Sequence, residues 1–256
     1  MAIKYIKLED AKQQSGLRMV TVPGIPSPWG EAAKGILKVK NIPWHGVQFD
    51  HRNKEMSQWT GSRSAPVVLY ENEAPRGGWA DILFLAERLS PEPALLPKDT
   101  ALRSQALGLC HEICGEMGLG WCRRLDSVHS GLQGQGGYVE PIAQYLAKKY
   151  HYRPEQAVEY RQRVIELLGM LADILHKQAA AGQAFYMGSS LSAVDLYSAT
   201  FMAPFNPLPQ EQCAMLPPIR SAFESLDADT ANALDPILIK HRDFIYDEFL
   251  ELPLSL

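Results

Sequence analysis

Leu17-Arg18-Met19-Val20-Thr21-Val22-Pro23-Gly24-Ile25-Pro26-Ser27-Pro28-Trp29 is the stretch on which the fold turns. Leu17–Val22, with Met19, Val20 and Val22 apolar, reads as a short buried strand. From Trp29 onward, Trp29, Ala33, Ile36 and Leu37 recur at i, i+4, i+7 and i+8, so a helix is expected over Pro28–Lys40. Ser27 then falls at the N-cap and Pro28 at the first helical position. A hydroxyl placed there lies beside unpaired N–H groups and the positive end of the helix dipole, where an anion such as a thiolate is stabilised. The commoner role of such a Ser-Pro pair is capping alone.

Working outward, Trp44–Phe49 and Pro66–Tyr70 read as further strands. Trp79–Leu89 reads as a helix carrying Trp79, Ile82, Leu83 and Ala86 on one face. Strand, helix, strand, then strand and helix predicts a small α/β unit over about residues 1–90, its first part a right-handed βαβ crossover. Ser90-Pro91-Glu92-Pro93, closed by Pro97, is a stiff connector and the best boundary in the chain.

Beyond Lys98 the strand signal fades, and an all-helical unit is expected over about 98–256. Leu102, Ala106, Leu109, Ile113 and Met117 form one stripe, continued to Trp121, so that Cys110–Arg124 reads as helix. Ile142, Leu146 and Tyr150 mark a shorter helix. Val164, Leu168, Leu171 and Leu175 mark a long one starting near Pro154. Others begin at Ser192 and cover about Ile237–Leu250. Gly131-Leu132-Gln133-Gly134-Gln135-Gly136-Gly137 reads as a flexible loop, too polar and glycine-rich to pack.

The chain has 256 residues and a formal charge of −4. Without a dense Lys/Arg block it is not expected to bind nucleic acid. Met1–Asp10 lacks a charged-then-apolar leader, and no apolar run approaches the ~20 residues of a membrane span. A soluble, cytoplasmic protein is expected. Cys110, Cys114, Cys122 and Cys213 form no C-x-x-C pair and are read as reduced thiols. Cys110, His111, Glu112 and Cys114 have the residue types of a metal site. But the two cysteines lie one turn apart on an apolar stripe, which fits buried thiols, and no metal is expected. His45, His51, His129, His151, His176 and His241 show no i, i+4 pairing with one another and are assigned no role.

Two further features are local. Ser192-Ala193-Val194-Asp195 is a capping box with Asp at N3, flanked by Leu191 and Leu196 as a possible hydrophobic staple. It starts and orients a helix rather than doing chemistry. Ala65-Pro66 follows a polar loop. Since only about 5–6% of X-Pro bonds are cis, the residues alone predict trans. A cis bond would turn the Ala65 N–H and C=O outward, ready to pair with an extended ligand.

Taken in order, these pieces resemble the glutathione transferase superfamily over about Leu17–Phe205, leaving Met1–Gly16 and the C-terminal tail outside. The resemblance rests on Ser27-Pro28-Trp29 before a helix ending in Lys38–Trp44, on Ser64-Ala65-Pro66-Val67-Val68, and on Ile82–Arg88 before the proline connector. It rests also on Phe185-Tyr186-Met187-Gly188 leading into Ser192 and Asp195. It implies a thioredoxin-like N-terminal domain, an all-helical C-terminal domain, glutathione as thiol co-substrate, and a homodimer.

Residue by residue, the resemblance makes Ser27 the hydroxyl that donates to the glutathione sulfur. It makes Ala65 the backbone partner of the cysteinyl unit, with Pro66 cis. Ser64, Trp29, Gly77 and Gly78 complete the implied glutathione site. A small apolar electrophile would lie between the domains, against Trp29 and the Cys110–Arg124 helix. One departure stands out: Gly77 and Gly78 occupy the positions where the family has an acid or Gln followed by Ser or Thr for the γ-glutamyl end. Arg76 or Arg63 could serve that end, with Asp81 and Glu73 nearby, and Arg52 or Lys54 the glycyl carboxylate. The same glycines motivate an alternative expectation, a non-catalytic binding or regulatory protein on this fold.

Overall fold

The computed structural model describes residues 3 and 5–256. The reading of Met1, Ala2 and Lys4 as part of a leaderless start lies outside the described residues.

Strand β1 (Leu17–Thr21) is buried at every position and forms the centre of a three-stranded sheet. It pairs in parallel with β2 (Trp44–Gln48), Leu17 facing Trp44 and Val20 facing Val47. It pairs antiparallel with β3 (Val67–Tyr70), Leu17 facing Tyr70. The two-residue period of a strand sends Leu17 and Met19 into one cluster, with Ile36 and Leu83. It sends Val20 into another, with Val47, Val67 and Met56. Beyond β3 the sheet continues only as a bridge, where Val68 and Arg76 exchange two N–H···O bonds of 2.8 Å. At the other edge Tyr5 bridges Gly46, where a Cβ would stand 2.7 Å from the Ile3 side chain, so the N-terminal segment needs that glycine.

Helix α1 (Leu8–Gln13) precedes the sheet, α2 (Pro28–Val39) makes the β1–β2 crossover, and α3 (Lys54–Thr60) leads to the β3 loop. α4 (Trp79–Leu89) packs on α2 through Ile82, Leu83, Leu85 and Ala86. Neither α1 nor α3 was expected. At six and seven residues they are too short for an apolar stripe to show, and α3 is set by its ends: Asn53 accepts from Met56 N–H at 2.9 Å and Gly61 closes it at φ 63°.

The remainder is helical: α5 (Thr100–Cys114), α6 (Leu119–Leu132), α7 (Glu140–Lys149), α8 (Ala157–Ala180), α9 (Ala193–Phe201), α10 (Pro217–Glu224), α11 (Ala228–Ala233) and α12 (Pro236–Phe249). Its core is continuous with that of the first half, Ile36 and Leu83 sharing one cluster with Leu109, Leu196 and Phe201. None of these helices is long and apolar enough to cross a membrane.

Three expectations are corrected here. Cys110–Arg124 is not one helix. The chain breaks at Gly115–Gly118, where Gly115 N–H bonds His111 O at 2.7 Å and Met117 takes φ 57°. A Cβ at Gly118 would stand 2.7 Å from Glu112 O, so only glycine lets the chain fold back this tightly. Met117 therefore lies outside the helix, and Leu102 at the other end of the stripe is exposed.

The Gly131–Gly137 segment is not a loop too polar to pack. Gly131 is the buried last turn of α6, where a Cβ would meet Tyr138 O at 2.1 Å. Gly137 N–H bonds Ser225 Oγ at 3.0 Å. Gly131, Gly136 and Gly137 mark close approach, and only the middle of the segment is exposed.

Third, Ser27 holds the N-cap position in extended conformation, yet its side chain makes no capping hydrogen bond. The first helical bond comes from the backbone, Glu31 N–H to Ser27 O at 2.8 Å.

Candidate functional site

A cavity of about 480 Å³ opens between the β1–α2 loop and helices α6 and α7. Val22, Pro23, Ile25, Ser27 and Trp29 line one side, Ala65 and Phe49 a second, and Gly120, Arg124, Ile142, Leu146 and Tyr150 the third. Ser27 reaches it because Pro26-Ser27-Pro28 carries the chain from strand to helix there. Its hydroxyl is half-buried and uncommitted to capping, and it sits at the start of α2, whose first-turn N–H groups no intrahelical carbonyl can serve. The Ala65–Pro66 bond is cis, against the expectation from the residues alone and as the resemblance implied.

Trp29 is held by a hydrogen bond from Nε1 to Cys114 O at 2.9 Å and by an edge-on contact with Phe201 at 4.7 Å. Gly120 permits this: a Cβ there would lie 2.4 Å from Phe201 Cε1 and 3.0 Å from Trp29 Cη2. The outer face of the Trp29 ring carries the Arg124 guanidinium at 4.3 Å, and Tyr150 covers that guanidinium at 4.4 Å. Burial pushes the Tyr138 phenol up, with Arg124 and Arg123 pulling it partly back, so this wall presents a neutral hydroxyl beside the guanidinium.

The cysteines take no part. All four are buried and none lines the cavity. Burial raises every thiol, Cys122 to about 12 and Cys213 to about 11, so none presents a thiolate near neutral pH. Cys110 and Cys114 pack as the stripe predicted. Among the described residues no cluster of His, Cys, Asp and Glu is arranged to hold a metal ion.

Of the residues named from sequence, the structure brings Ser27, Trp29 and Ala65 to one cavity. Ser64 and Pro66 flank Ala65 without lining it. Gly77 and Gly78 lie exposed at the start of α4, outside it. A Cβ on Gly78 would meet the Asp81 carboxylate at 2.6 Å, so an acid does lie over that helix start, one turn into the helix. Arg76 is committed to Glu73 and to Ala74 O. Arg52 and Lys54 do not line the cavity, whereas His51, given no role, does. Nor does the tail from Asp235 cover its mouth: α12 packs on α8, α9 and α2.

The capping box is present and wholly buried. Asp195 Oδ2 accepts from Ser192 N–H at 2.8 Å and Ser192 Oγ–H at 2.7 Å. Asp195 Oδ1 accepts from Tyr186 N–H at 2.9 Å and lies 3.1 Å from His241 Nε2. Sequence reading missed Tyr138, Tyr145, Lys149 and Tyr150. The signal was the Ile142–Leu146–Tyr150 stripe, which reads as core but here faces the cavity.

A small mixed sheet with β1 central, a cis-proline ahead of β3 and a helical second half together define the glutathione transferase fold: a thioredoxin-like N-terminal part and an all-helical C-terminal part. The chain is similar to a glutathione transferase from Pseudomonas putida with one glutathione disulfide bound per subunit. The TM-score is 0.64 at 15% identity, over 95% of each chain. It is similar to a glutathione S-transferase from Methylobacterium radiotolerans in complex with glutathione sulfonate, with TM-score 0.60 and 17% identity over 91% of this chain and 92% of that one. A third, a glutathione transferase family member from Pseudomonas fluorescens with two glutathione bound, gives 0.61 and 13% over 91% and 89%. No protein-family model matches the sequence, and no curated protein matches it.

Proposed function

We propose that this protein is a cytoplasmic glutathione-dependent transferase, acting on a small apolar electrophile. In this reading residues 1–90 form the thiol-binding domain and 98–256 the helical domain. The observation that carries it is Ser27: a hydroxyl at a helix start, not spent on capping, facing the same cavity as Ala65 and Trp29. Ser27 Oγ–H donates to the glutathione sulfur and, with the positive end of α2, favours the thiolate. The thiol proton passes to solvent, the sulfur forms a bond to the electrophilic carbon, and the leaving group departs with its electron pair. Ala65 pairs through its backbone with the cysteinyl unit, Ser64 and Pro66 hold that segment, and the exposed N–H groups at Gly77 and Gly78 meet the γ-glutamyl carboxylate.

The absence of side chains at Gly77 and Gly78, and their position outside the cavity, favours a second reading: a non-catalytic binding or regulatory protein. Calorimetry with millimolar glutathione on wild type and Ser27→Ala, paired with an aryl-halide conjugation assay, separates the two. A transferase binds glutathione and loses most of its turnover in Ser27→Ala. Binding without turnover, or no glutathione binding by the folded protein, removes the transferase and supports the second reading.

A homodimer is part of the proposal. Phe84 on α4 and Leu102 on α5 are exposed, and the Arg103 guanidinium lies 5.6 Å over the Phe84 ring, so an apolar, cation-edged face spans the two helices. Sedimentation velocity on wild type and Phe84→Ser tests it: a monomeric wild type removes the dimer.

A further inference from the structure

The cavity that holds Ser27 has an uneven charge. Its ionisable lining consists of His51, Arg123, Arg124, Lys149 and tyrosines; among the described residues no Asp or Glu lines it. Arg123 is spent on structure. It is buried, its Nε donates to Pro204 O at 3.0 Å and its Nη2 to Ser225 O at 2.7 Å, and Asp126 lies 3.4 Å away. Arg124 is different. Its guanidinium carbon lies 4.3 Å from the Trp29 ring centre and 4.4 Å from that of Tyr150, and among the described residues no carboxylate lies within 4.0 Å of it. Lys149 Nζ stands 5.3 Å from the same Tyr150 ring and 5.9 Å from that of Tyr145.

The Arg124 guanidinium also hydrogen-bonds the Tyr138 hydroxyl, a neutral partner that leaves its charge uncompensated and its other N–H groups without a carboxylate. A guanidinium's N–H groups point in its own plane, in the fork that suits two carboxylate oxygens. A cation held in an apolar cavity without a counter-ion is incomplete in a way that an arriving anion completes. Apart from Ser27 and Ser127, the rest of the lining, including Phe49, Ile142, Leu146 and Phe223, is apolar and suits a ring or a short hydrocarbon body.

We infer that the cavity takes an apolar organic acid, its carboxylate received by the edge of the Arg124 guanidinium with Lys149 beside it, and its hydrocarbon body between α7 and the β1–α2 loop. This deepens the proposed function, naming the class of electrophile as anionic and not neutral. It rests on that reading only for the word electrophile. The acid-binding site stands on the cavity itself.

The test is calorimetric titration, without glutathione, of 4-chloro-3-nitrobenzoate and the uncharged 4-chloro-3-nitrobenzamide into wild type, Arg124→Gln and Lys149→Gln. Wild type should bind the carboxylate at least tenfold more tightly than the amide. Arg124→Gln should lose that preference while its affinity for the amide changes less than twofold, and Lys149→Gln should lose about threefold on the carboxylate alone. Equal affinities in wild type, an equal loss for both compounds in Arg124→Gln, or no binding of either at millimolar concentration overturns the inference. Because the wild-type comparison decides by itself, a poorly folding Arg124→Gln does not rescue it. Glutathione is titrated into the same variants. If Arg124→Gln weakens glutathione and leaves the benzoate unchanged, the guanidinium serves the peptide's carboxylate and the inference fails. A retained benzoate preference in a protein with no thiol transfer removes the transferase reading and leaves the acid site in place.

Discussion

The Lys40 ammonium, wholly buried at the end of α2, lies 2.5 Å from the Glu87 carboxylate of α4. It also donates to Ser90 O at 2.7 Å and Pro93 O at 2.8 Å, while the same Glu87 oxygen accepts from Leu95 N–H at 3.0 Å. One buried charge thus ties the crossover helix to the connector that leads into the helical half. Lys40→Met keeps most of the stem but leaves a carboxylate without its counter-ion and two carbonyls without their donor. It should cost about 3–5 kcal/mol in urea unfolding; a loss below about 1 kcal/mol would mean the pair adds little beyond packing.

Asp195→Ala removes a buried acceptor serving Ser192 and Tyr186 backbone N–H groups at once. Losing the cap and stranding these donors should lower stability by about 2–4 kcal/mol, with ligand binding per folded molecule unchanged. A stable variant that no longer binds would give Asp195 a role at the site.

Ser27→Ala should be nearly silent in a melt. A capping serine would cost about 1 kcal/mol on truncation, but this hydroxyl makes no capping bond, so a change within about 0.5 kcal/mol is expected. A larger loss would show that the hydroxyl supports the helix.

Two glycines make a matched pair. At Gly120 a methyl group would press into Phe201 and Trp29, so Gly120→Ala should destabilise by about 1–3 kcal/mol and shift the emission of the tryptophans. At Gly108, exposed inside α5 with nothing within 4 Å of a Cβ, alanine should stabilise by about 0.5–1 kcal/mol. Thermal melts of the two variants should therefore move in opposite directions.

Asp227 caps α11. Burial alone would raise its carboxyl. The bonds from Thr230 Oγ1 (2.7 Å), Thr230 N–H and Asp229 N–H, with Arg161 nearby, outweigh that and hold it below its ordinary value near 3.8. A depressed acid contributes stability that is present above its unfolded value and is lost as pH falls through its folded value. Wild type should therefore lose melting temperature below about pH 4. Asp227→Asn, which can still cap, should start lower and lose less. Parallel curves in the two proteins would contradict this assignment.

Long, strongly patterned elements were legible from the chain. Trp79–Leu89 is a helix to the residue, and the strand at Leu17 and the capping box at Ser192–Asp195 stand where spacing put them. α1, α3, α10 and α11 were missed, all eight residues or fewer. The break at Gly115–Gly118 was missed because the apolar stripe ran on in register across it. The cavity was half legible: Ser27, Trp29 and Ala65 announce themselves, whereas Arg124 enters only as the end of a helix expected to wall the pocket, with nothing to mark its charge.

What the sequence determined is the order and type of the main elements, through periods of 2 and 3.6 that each segment carries in itself, and with them the placing of a serine at a helix start. The tertiary structure decided which face of α7 lines a cavity and which is solvated. It decided also that Ser27 is free of capping and that Arg124 lies between two rings without a carboxylate. Those properties depend on residues 26 and 95 positions apart in the chain, Tyr150 and Trp29 about Arg124, which packing brings within 4.4 and 4.3 Å of it. Local periodicity holds no information about contacts of that range, because they follow from how whole helices are stacked.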